Sequence, residues 1–339
     1  MQLYAGMDLH SRNTLVAVMD SGFRRVFQER VANDLALILA TLEPFRDDLR
    51  GIAVESTYNW YWLVDGLMEA GYRVHLANPS GIKQYEGLKH SDDRDDAFFL
   101  AHLLALGILP EGYIYPKEER PVRDLLRKRS FLVKHRTAHI LSLQSMLERE
   151  KACKLAGNEI KGLRAEDIGR IFAEEYLVLS AQASRSCIEF LGHHIKRIEK
   201  AVRERLKLRK SFQSLLTVPG IGDILALTIM LEVGDIARFA KVGNFASYAR
   251  CVSSKRLSDG KKKGQGNRKN GNRYLAWAFV EASHHARRHN ERLRKYYQRK
   301  LAETNEAVAT KALCNKLSRA CYYIIRDQVA FREEALFCS

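Results

Sequence analysis

Leu3-Tyr4-Ala5-Gly6-Met7-Asp8, followed after four residues by Asn13-Thr14-Leu15-Val16-Ala17-Val18-Met19, is the stretch that decides the fold. Both runs are short, apolar and β-prone, as strands buried in a sheet are. Asp20-Ser21-Gly22 is a turn signal, and Arg24 to Val31 then alternates as a third strand. Working outward, Asn33 or Asp34 stands where it would cap a helix carrying Leu35, Leu37, Ile38, Leu39 and Leu42. Gly51-Ile-Ala-Val-Glu55 reads as a buried strand. Residues 59–70 read as a helix with Trp60, Leu63, Leu67 and Met68 on one face, Val74-His-Leu-Ala77 as a fifth strand, and Asp93 to Leu109 as a further helix.

Three meandering strands followed by helix, strand, helix, strand, helix is the order of a ribonuclease H type of fold, a mixed sheet between helices. Past Pro110, Pro116 and Pro121 the strand signal disappears. Residues 121–150 and 166–213 are rich in Leu, Arg, Lys, Glu and Ala, and Leu191, Ile195, Ile198, Val202 and Leu206 form a heptad-like seam. A long helical hairpin is expected, serving as a helical core or as a dimerisation arm. The expected class is therefore α/β plus all-α. We divide it into an α/β domain at 1–112, a helical, coiled-coil connector at 113–213, and a mainly helical domain at 214–339, with helices at about 272–289 and 305–330.

Among the 339 residues, 56 Lys and Arg stand against 40 Asp and Glu, a formal charge of +16. The excess is uneven: residues 1–112 carry a net −6 and residues 113–339 a net +22. An acidic domain joined to a strongly basic remainder suits cation-dependent chemistry beside a body that holds a polyanion. No run of 18 apolar residues exists, so no membrane span is expected, and the N-terminus lacks the pattern of a signal peptide. The six cysteines form no CxxC pair and read as reduced thiols of a cytoplasmic protein.

Asp8 ends the first strand and Glu55 the fourth, and in the expected fold these strands are neighbours. Asp92, Asp93, Asp95 and Asp96 sit at the start of the following helix, where either Asp93 with Asp96 or Asp92 with Asp95 share a face. Carboxylates gathered in this way repel one another unless a cation is present, and hard oxygen ligands select Mg²⁺ or Mn²⁺. Taken singly, each acid is equally at home as a cap or helix-dipole partner.

Leu215-Leu-Thr-Val-Pro-Gly220-Ile-Gly222 places a glycine turn between two helical patterns, a helix-hairpin-helix signature in which Gly220 and Gly222 would let backbone N–H groups approach a phosphate. Residues 253–273 read as a loop. From 255 to 273 they carry eight basic residues (Lys255, Arg256, Lys261, Lys262, Lys263, Arg268, Lys269 and Arg273) and one acid, Asp259. Such a segment can wrap a phosphate backbone. A serine held there, Ser253, Ser254 or Ser258, is either a turn residue or a nucleophile on phosphorus. His284, His285 and His289 read as solvated or core residues.

Gly6-Met7-Asp8, Ala53-Val54-Glu55-Ser56-Thr57, Asp93-Arg-Asp-Asp96-Ala97, Val218-Pro-Gly-Ile-Gly222, Ser258-Asp-Gly260 and Lys269-Asn-Gly-Asn-Arg273-Tyr-Leu275 follow one another in order. Together they resemble the insertion-sequence one-ten family of transposases, related to the Piv-type DNA invertases, along nearly the whole chain. The resemblance implies an N-terminal RuvC-like domain whose Asp-Glu-Asp-Asp set, here Asp8, Glu55, Asp93 and Asp96, binds Mg²⁺ or Mn²⁺. It implies that Ser258 attacks the DNA backbone to form a 5′-phosphoserine link. It further implies DNA recombination guided by a structured RNA that pairs with donor and target DNA, and a homodimer or homotetramer whose subunits share sites. A bacterial or archaeal, nucleoid-associated protein is implied likewise. The family often has Ser-Gly where this chain has Ser258-Asp259-Gly260, so Asp259 could serve as a base or shape the turn. Two other functions compete: a metal-dependent junction endonuclease that hydrolyses DNA without the serine, and an architectural nucleic-acid binder whose acids are structural.

Overall fold

A computed structural model describes residues 1–82, 93–252, 255–258, 261–265 and 270–337; the side chains of 93–95, 255–258, 262–265 and 337 lie outside that description. The chain divides into two compact units, Met1–Lys117 and Glu118–Ser339.

The first unit is a mixed sheet with helices. Its elements are β1 (Leu3–Leu9), β2 (Asn13–Asp20), β3 (Arg25–Ala32), α1 (Leu35–Leu42), β4 (Leu49–Glu55), α2 (Tyr61–Glu69), β5 (Val74–Ala77), the single turn α3 (Pro79–Ile82) and α4 (Asp93–Ala105). The strand order is β3-β2-β1-β4-β5. The first three strands are antiparallel, while β1, β4 and β5 run parallel. A parallel pair needs a crossover connection, which the stretches carrying α1 and α2 supply. Asp34 caps α1, accepting from Leu37 N at 3.1 Å. On one sheet face Ala5, Met7, Val16, Val18, Ile52 and Val54 pack with Ile38 and Leu42 of α1 and Leu63 and Leu67 of α2. On the other, Leu15, Ala17 and Met19 pack with Ala97, Phe98 and Ala101 of α4. Because β1 and β2 are buried on both faces they read as continuous apolar runs, whereas β3, mostly exposed, carries Arg25, Gln28, Glu29 and Arg30 at an edge.

The second unit is mostly helical. It contains α5 (Arg120–Lys151), α6 (Gly157–Gly162), α7 (Ala165–Ile171), α8 (Glu175–Leu206), α9 (Lys210–Leu216), α10 (Asp223–Val233) and α11 (Val242–Tyr248). A two-stranded antiparallel sheet follows, β6 (Lys255–Ser258) with β7 (Lys261–Gln265). The remaining helices are α12 (Arg273–His289), α13 (Glu291–Glu303), α14 (Glu306–Asp327) and α15 (Glu333–Phe337). Helices α5 and α8 lie along one another. Near the α5 C-terminus, Ile140, Leu143, Met146 and Leu147 meet Ala181 and Ile188 of α8 and Ile160, Ile168 and Phe172. At the other end Leu126, Val202 and Leu206 join the core built from α10, α12 and α14. Each fully buried Leu or Ile there contributes about 1.5–3 kcal/mol.

The seam Leu191–Leu206 contributes to a helical core, one of its two expected roles: Ile195, Val202 and Leu206 are buried and Ile198 packs on the core. Two expectations change. Residues 255–258 and 261–265, expected as loop, pair as strands through their backbones. Helix α13 stands where no separate helix was expected, since only Leu293 and Tyr297 of its 13 residues are buried and its pattern is dominated by charge. The five described cysteines are free thiols; Cys251, Cys314 and Cys321 are buried in the second unit. Among the described residues no helix is long and apolar enough to cross a membrane.

Candidate active site

The acids of the first unit are arranged by strand alternation. In β1, Ala5, Met7 and Leu9 face α1 and α2, so Gly6 and Asp8 face α4. In β4, Ile52 and Val54 face α1 and α2, so Gly51, Ala53 and Glu55 face α4. The parallel register pairs Gly6 with Ala53 and Met7 with Val54, so Asp8 and Glu55 follow at the next step, side by side at the carboxyl end of both strands. Helix α4 crosses this face in the opposite direction: Leu104 lies against Gly51, Leu100 packs with Ala53, and Ala97 lies against Gly6. Its first turn, with Asp96 directly before Ala97, therefore comes to the end of the sheet where Asp8 and Glu55 stand.

Gly6 makes that approach possible. A β-carbon there would sit 1.9 Å from the Ala97 carbonyl oxygen and 2.8 Å from the Ala101 nitrogen, so any side chain would push α4 off the sheet. The run Gly6-Met7-Asp8 thus has a physical sense: space for the helix, an apolar anchor on the other face, then an acid toward α4. Asp8 is only 5% exposed, and its Oδ2 lies 3.2 Å from Nε2 of the half-buried His10. Asn59 donates to the His10 carbonyl at 3.2 Å, and Thr57, after Glu55, donates its hydroxyl to Asn59 at 2.9 Å. Sequence reasoning passed over His10 and Asn59; their only signal was a His two residues after the first acid and an Asn four after the second. Glu55 is half-buried and Asp96 has one carboxylate oxygen sealed from solvent. Asp93 opens α4, its side chain outside the described residues as is that of Asp95, and Asp92 is outside them altogether. Among the described residues no three metal-ligating side chains lie together. Asp8, Glu55 and Asp96 offer hard oxygens of the kind that suit a divalent cation of the Mg²⁺ class, on neighbouring elements, but their side chains are not gathered into a ligand set.

In the second unit the Pro-Gly-Ile-Gly turn joins α9 to α10, and its two glycines differ. Gly220 has φ +86 and faces α12: a β-carbon would lie 2.4 Å from the Ala282 carbonyl oxygen and 2.5 Å from the Ala286 nitrogen. Its lack of a side chain lets the turn pack against α12. Gly222 is exposed, begins α10 as its N-cap, and has open space around it. It borders a groove lined by Thr217, Pro219, Asp223 and His285. Asp223 in that groove accepts from Arg203 Nε at 2.7 Å. His285 and His289 are exposed and His284 half-buried.

Ser258 ends β6 opposite Lys261, at the last pair of the two-stranded sheet, with Asp259 and Gly260 between them in sequence. Lys255 and Arg256 lie in β6 and Lys261, Lys262 and Lys263 in β7; Lys261 is exposed. Ser253, Ser254, Asp259, Arg268 and Lys269 lie outside the described residues. Arg273 is exposed at the start of α12 and stacks on Tyr274, whose ring also carries Arg127, each guanidinium 4.9 Å from the centroid. The exposed Arg273 guanidinium, held on that ring, is a ready contact for phosphate, while Arg127 is engaged by Glu232.

Two family models match the chain. Residues 5–151 match one described as a transposase, the DEDD domain of the IS110 type, and residues 212–298 match one described as the transposase IS116/IS110/IS902 family. The first span covers Asp8, Glu55, Asp93 and Asp96; the second covers the glycine turn and the serine segment. The chain is 26% identical to the transposase for insertion sequence element IS1111A of Coxiella burnetii, over 68% of this chain and 63% of that protein. It is 23% identical to a probable family 20 transposase of Pseudomonas aeruginosa, over 83% and 85%. It is 22% identical to the transposase for insertion sequence element IS1328 of Yersinia enterocolitica, over 96% and 97%.

Proposed function

The chain belongs to the IS116/IS110/IS902 family of transposases, enzymes that cut and rejoin DNA, and we propose that it moves an insertion sequence by serine-based strand exchange supported by an acidic site. The observation that carries this reading is the meeting of Asp8, Glu55 and the first turn of α4 at one end of the mixed sheet, in a chain whose separate basic unit bears the serine hairpin.

The strand order of Met1–Lys117 supports reading it as a ribonuclease H-like domain of the RuvC type. Asp8, Glu55, Asp93 and Asp96 are the residues that would hold Mg²⁺ or Mn²⁺, which when bound neutralises charge at a phosphoryl oxygen and acidifies the group beside it. The Ser258 hydroxyl attacks phosphorus and gives up its proton. The bond to the 3′-oxygen breaks, that oxygen leaves as a protonated 3′-hydroxyl, and a 5′-phosphoserine remains. In rejoining, the 3′-hydroxyl of a second strand attacks the phosphoserine and the serine oxygen recovers a proton. Lys255, Arg256, Lys261, Lys262, Lys263, Arg268, Lys269 and Arg273, with the Gly222 amide, hold backbones without reading bases. Such contacts suit a protein whose sequence choice is delegated to a structured guide RNA pairing with donor and target DNA. We assign residues 113–213 as the connector and 214–339 as the serine-bearing, DNA-binding part of a homodimer or homotetramer that works at the nucleoid.

A second reading, hydrolysis of branched DNA by the acids alone, is favoured by one fact: all four lie in a compact unit with its own core. The test incubates the protein with junction DNA, the element's flanking transcript and Mg²⁺ or EDTA. Strand exchange is expected to need the metal and to be lost in Asp8→Asn, Glu55→Gln and Ser258→Ala, with DNA binding kept. Free 5′-phosphate products made equally by Ser258→Ala would favour the hydrolytic reading, and undiminished exchange by Asp8→Asn would reject a role for the acids.

A further inference from the structure

The serine segment leaves the helical body through a clasp. On its entry side Arg250, with φ 56, donates from Nε and Nη2 to the Gly271 carbonyl at 3.1 and 2.8 Å, and Lys311 donates to the Arg250 carbonyl. On its exit side the Asn272 amide donates to the Tyr248 carbonyl at 2.6 Å. The Asn272 side chain does two further things. Its Oδ1 caps α12, accepting from Tyr274 N and Leu275 N at 2.8 and 3.1 Å, while its Nδ2 donates to Glu232 Oε2 at 2.7 Å. Glu232, on α10, is 5% exposed and also takes a two-pronged bond from Arg127 of α5, Nε to Oε1 at 2.6 Å and Nη2 to Oε2 at 2.7 Å. Residues 251–270 thus start and finish at one clasped point, and that point is bolted through one buried carboxylate to α5, α10 and α12.

Stability alone does not ask for this. Burying a carboxylate costs several kcal/mol of desolvation that apolar residues of similar size would avoid, and an exposed loop needs only a turn at its base. What a bidentate, fully hydrogen-bonded carboxylate supplies is a fixed direction. Burial works against the charged guanidinium, but the Glu232 bond outweighs it and holds the Arg127 pKa above its ordinary value, so this guanidinium stays charged. We propose that Glu232, Arg127 and Asn272 are positioning residues for strand exchange: they fix where the β6–β7 hairpin, and with it Ser258, emerges. This rests on Ser258 as the nucleophile.

The test uses the full-length protein with a plasmid carrying the element's ends, the flanking transcript and Mg²⁺. Asn272→Ser keeps a capping oxygen but loses the Glu232 bond. Arg127→Lys keeps the charge but loses the fork. Each is expected to lower the single-turnover exchange rate about 30- to 100-fold, since errors near 1 Å at a reacting group cost about that much. DNA affinity should stay within about twofold and the melting temperature within about 3 °C. The double variant should fall no further than the slower single one, because both act through one carboxylate. Glu232→Gln, which still offers an oxygen, should recover part of what Glu232→Ala loses. Wild-type rates in Asn272→Ser and Arg127→Lys beside an inactive Ser258→Ala would overturn the positioning role and leave the serine reading standing. Losses that track melting temperature or DNA affinity, or that multiply in the double variant, would also overturn it. An active Ser258→Ala would instead reject the serine reading itself.

Discussion

Replacing Gly6 by alanine tests the acidic site through a residue that has no chemistry of its own. The new methyl carbon would stand 1.9 Å from the Ala97 carbonyl oxygen, and an ordinary carbon–oxygen contact needs ~3.3 Å, so α4 must retreat by about 1.4 Å. The obstacle is helix backbone, which cannot rotate aside as a side chain can. Overpacking of this kind costs about 1–3 kcal/mol, within what a unit with its own core can absorb. The effect on chemistry is larger: α4 carries Asp93 and Asp96, and moving them ~1 Å from Asp8 and Glu55 should lower the exchange rate about 100-fold or more. The assay measures single-turnover strand exchange beside thermal unfolding, with Gly169→Ala as the control, since Gly169 lies on α7 with open space around it. The control should keep full activity and lose no stability. A Gly6→Ala protein with wild-type melting and wild-type rate would refute the seating of α4 on β1 and the site derived from it.

Other expectations are quicker to check. Gly220→Ala should destabilise the second unit by about 1–3 kcal/mol or more, because it meets α12 backbone at positive φ, whereas Gly222→Ser should leave melting unchanged. Burial pushes the Cys251 thiol up to about 12 and raises those of Cys314 and Cys321 as well. In a Cys338→Ser protein near pH 8, iodoacetamide should therefore label only Cys153 and Cys187 until denaturant is added; native labelling of Cys251 would contradict the core described. DNA affinity should fall steeply with salt, and Arg273→Ala should lower the slope of log affinity against log salt by about 1 without altering preference among sequences.

How much was legible depended on whether a residue's role lay in its own neighbourhood. The first unit was readable because β1 and β2 are apolar on both faces and turns separate the strands, so their order led to Asp8 and Glu55 on neighbouring strand ends. The β6–β7 pairing was hidden because Lys255–Gln265 has no alternation of apolar and polar residues and is held by backbone bonds. Helix α13 was hidden because charges mask its two buried residues. Gly220 carried a turn signature, but the neighbour that demands a glycine, α12, is some sixty residues later in the chain. Asn272 looked like part of a cationic loop, while its partner Glu232 is 40 residues before it and Arg127 lies 105 residues before Glu232. Long-range contacts of that kind leave no periodicity to read.

Mass spectrometry of the trapped complex probes the proposed covalent bond between Ser258 and DNA. The protein, junction DNA carrying a nick that stalls rejoining, the element's transcript and Mg²⁺ would be quenched in denaturant and digested with nuclease and protease. A peptide containing Ser258 that bears a 5′-linked nucleotide phosphate is expected, absent from Ser258→Ala and from Asp8→Asn. Cut DNA with no such peptide, or the same adduct on a different residue, would contradict it.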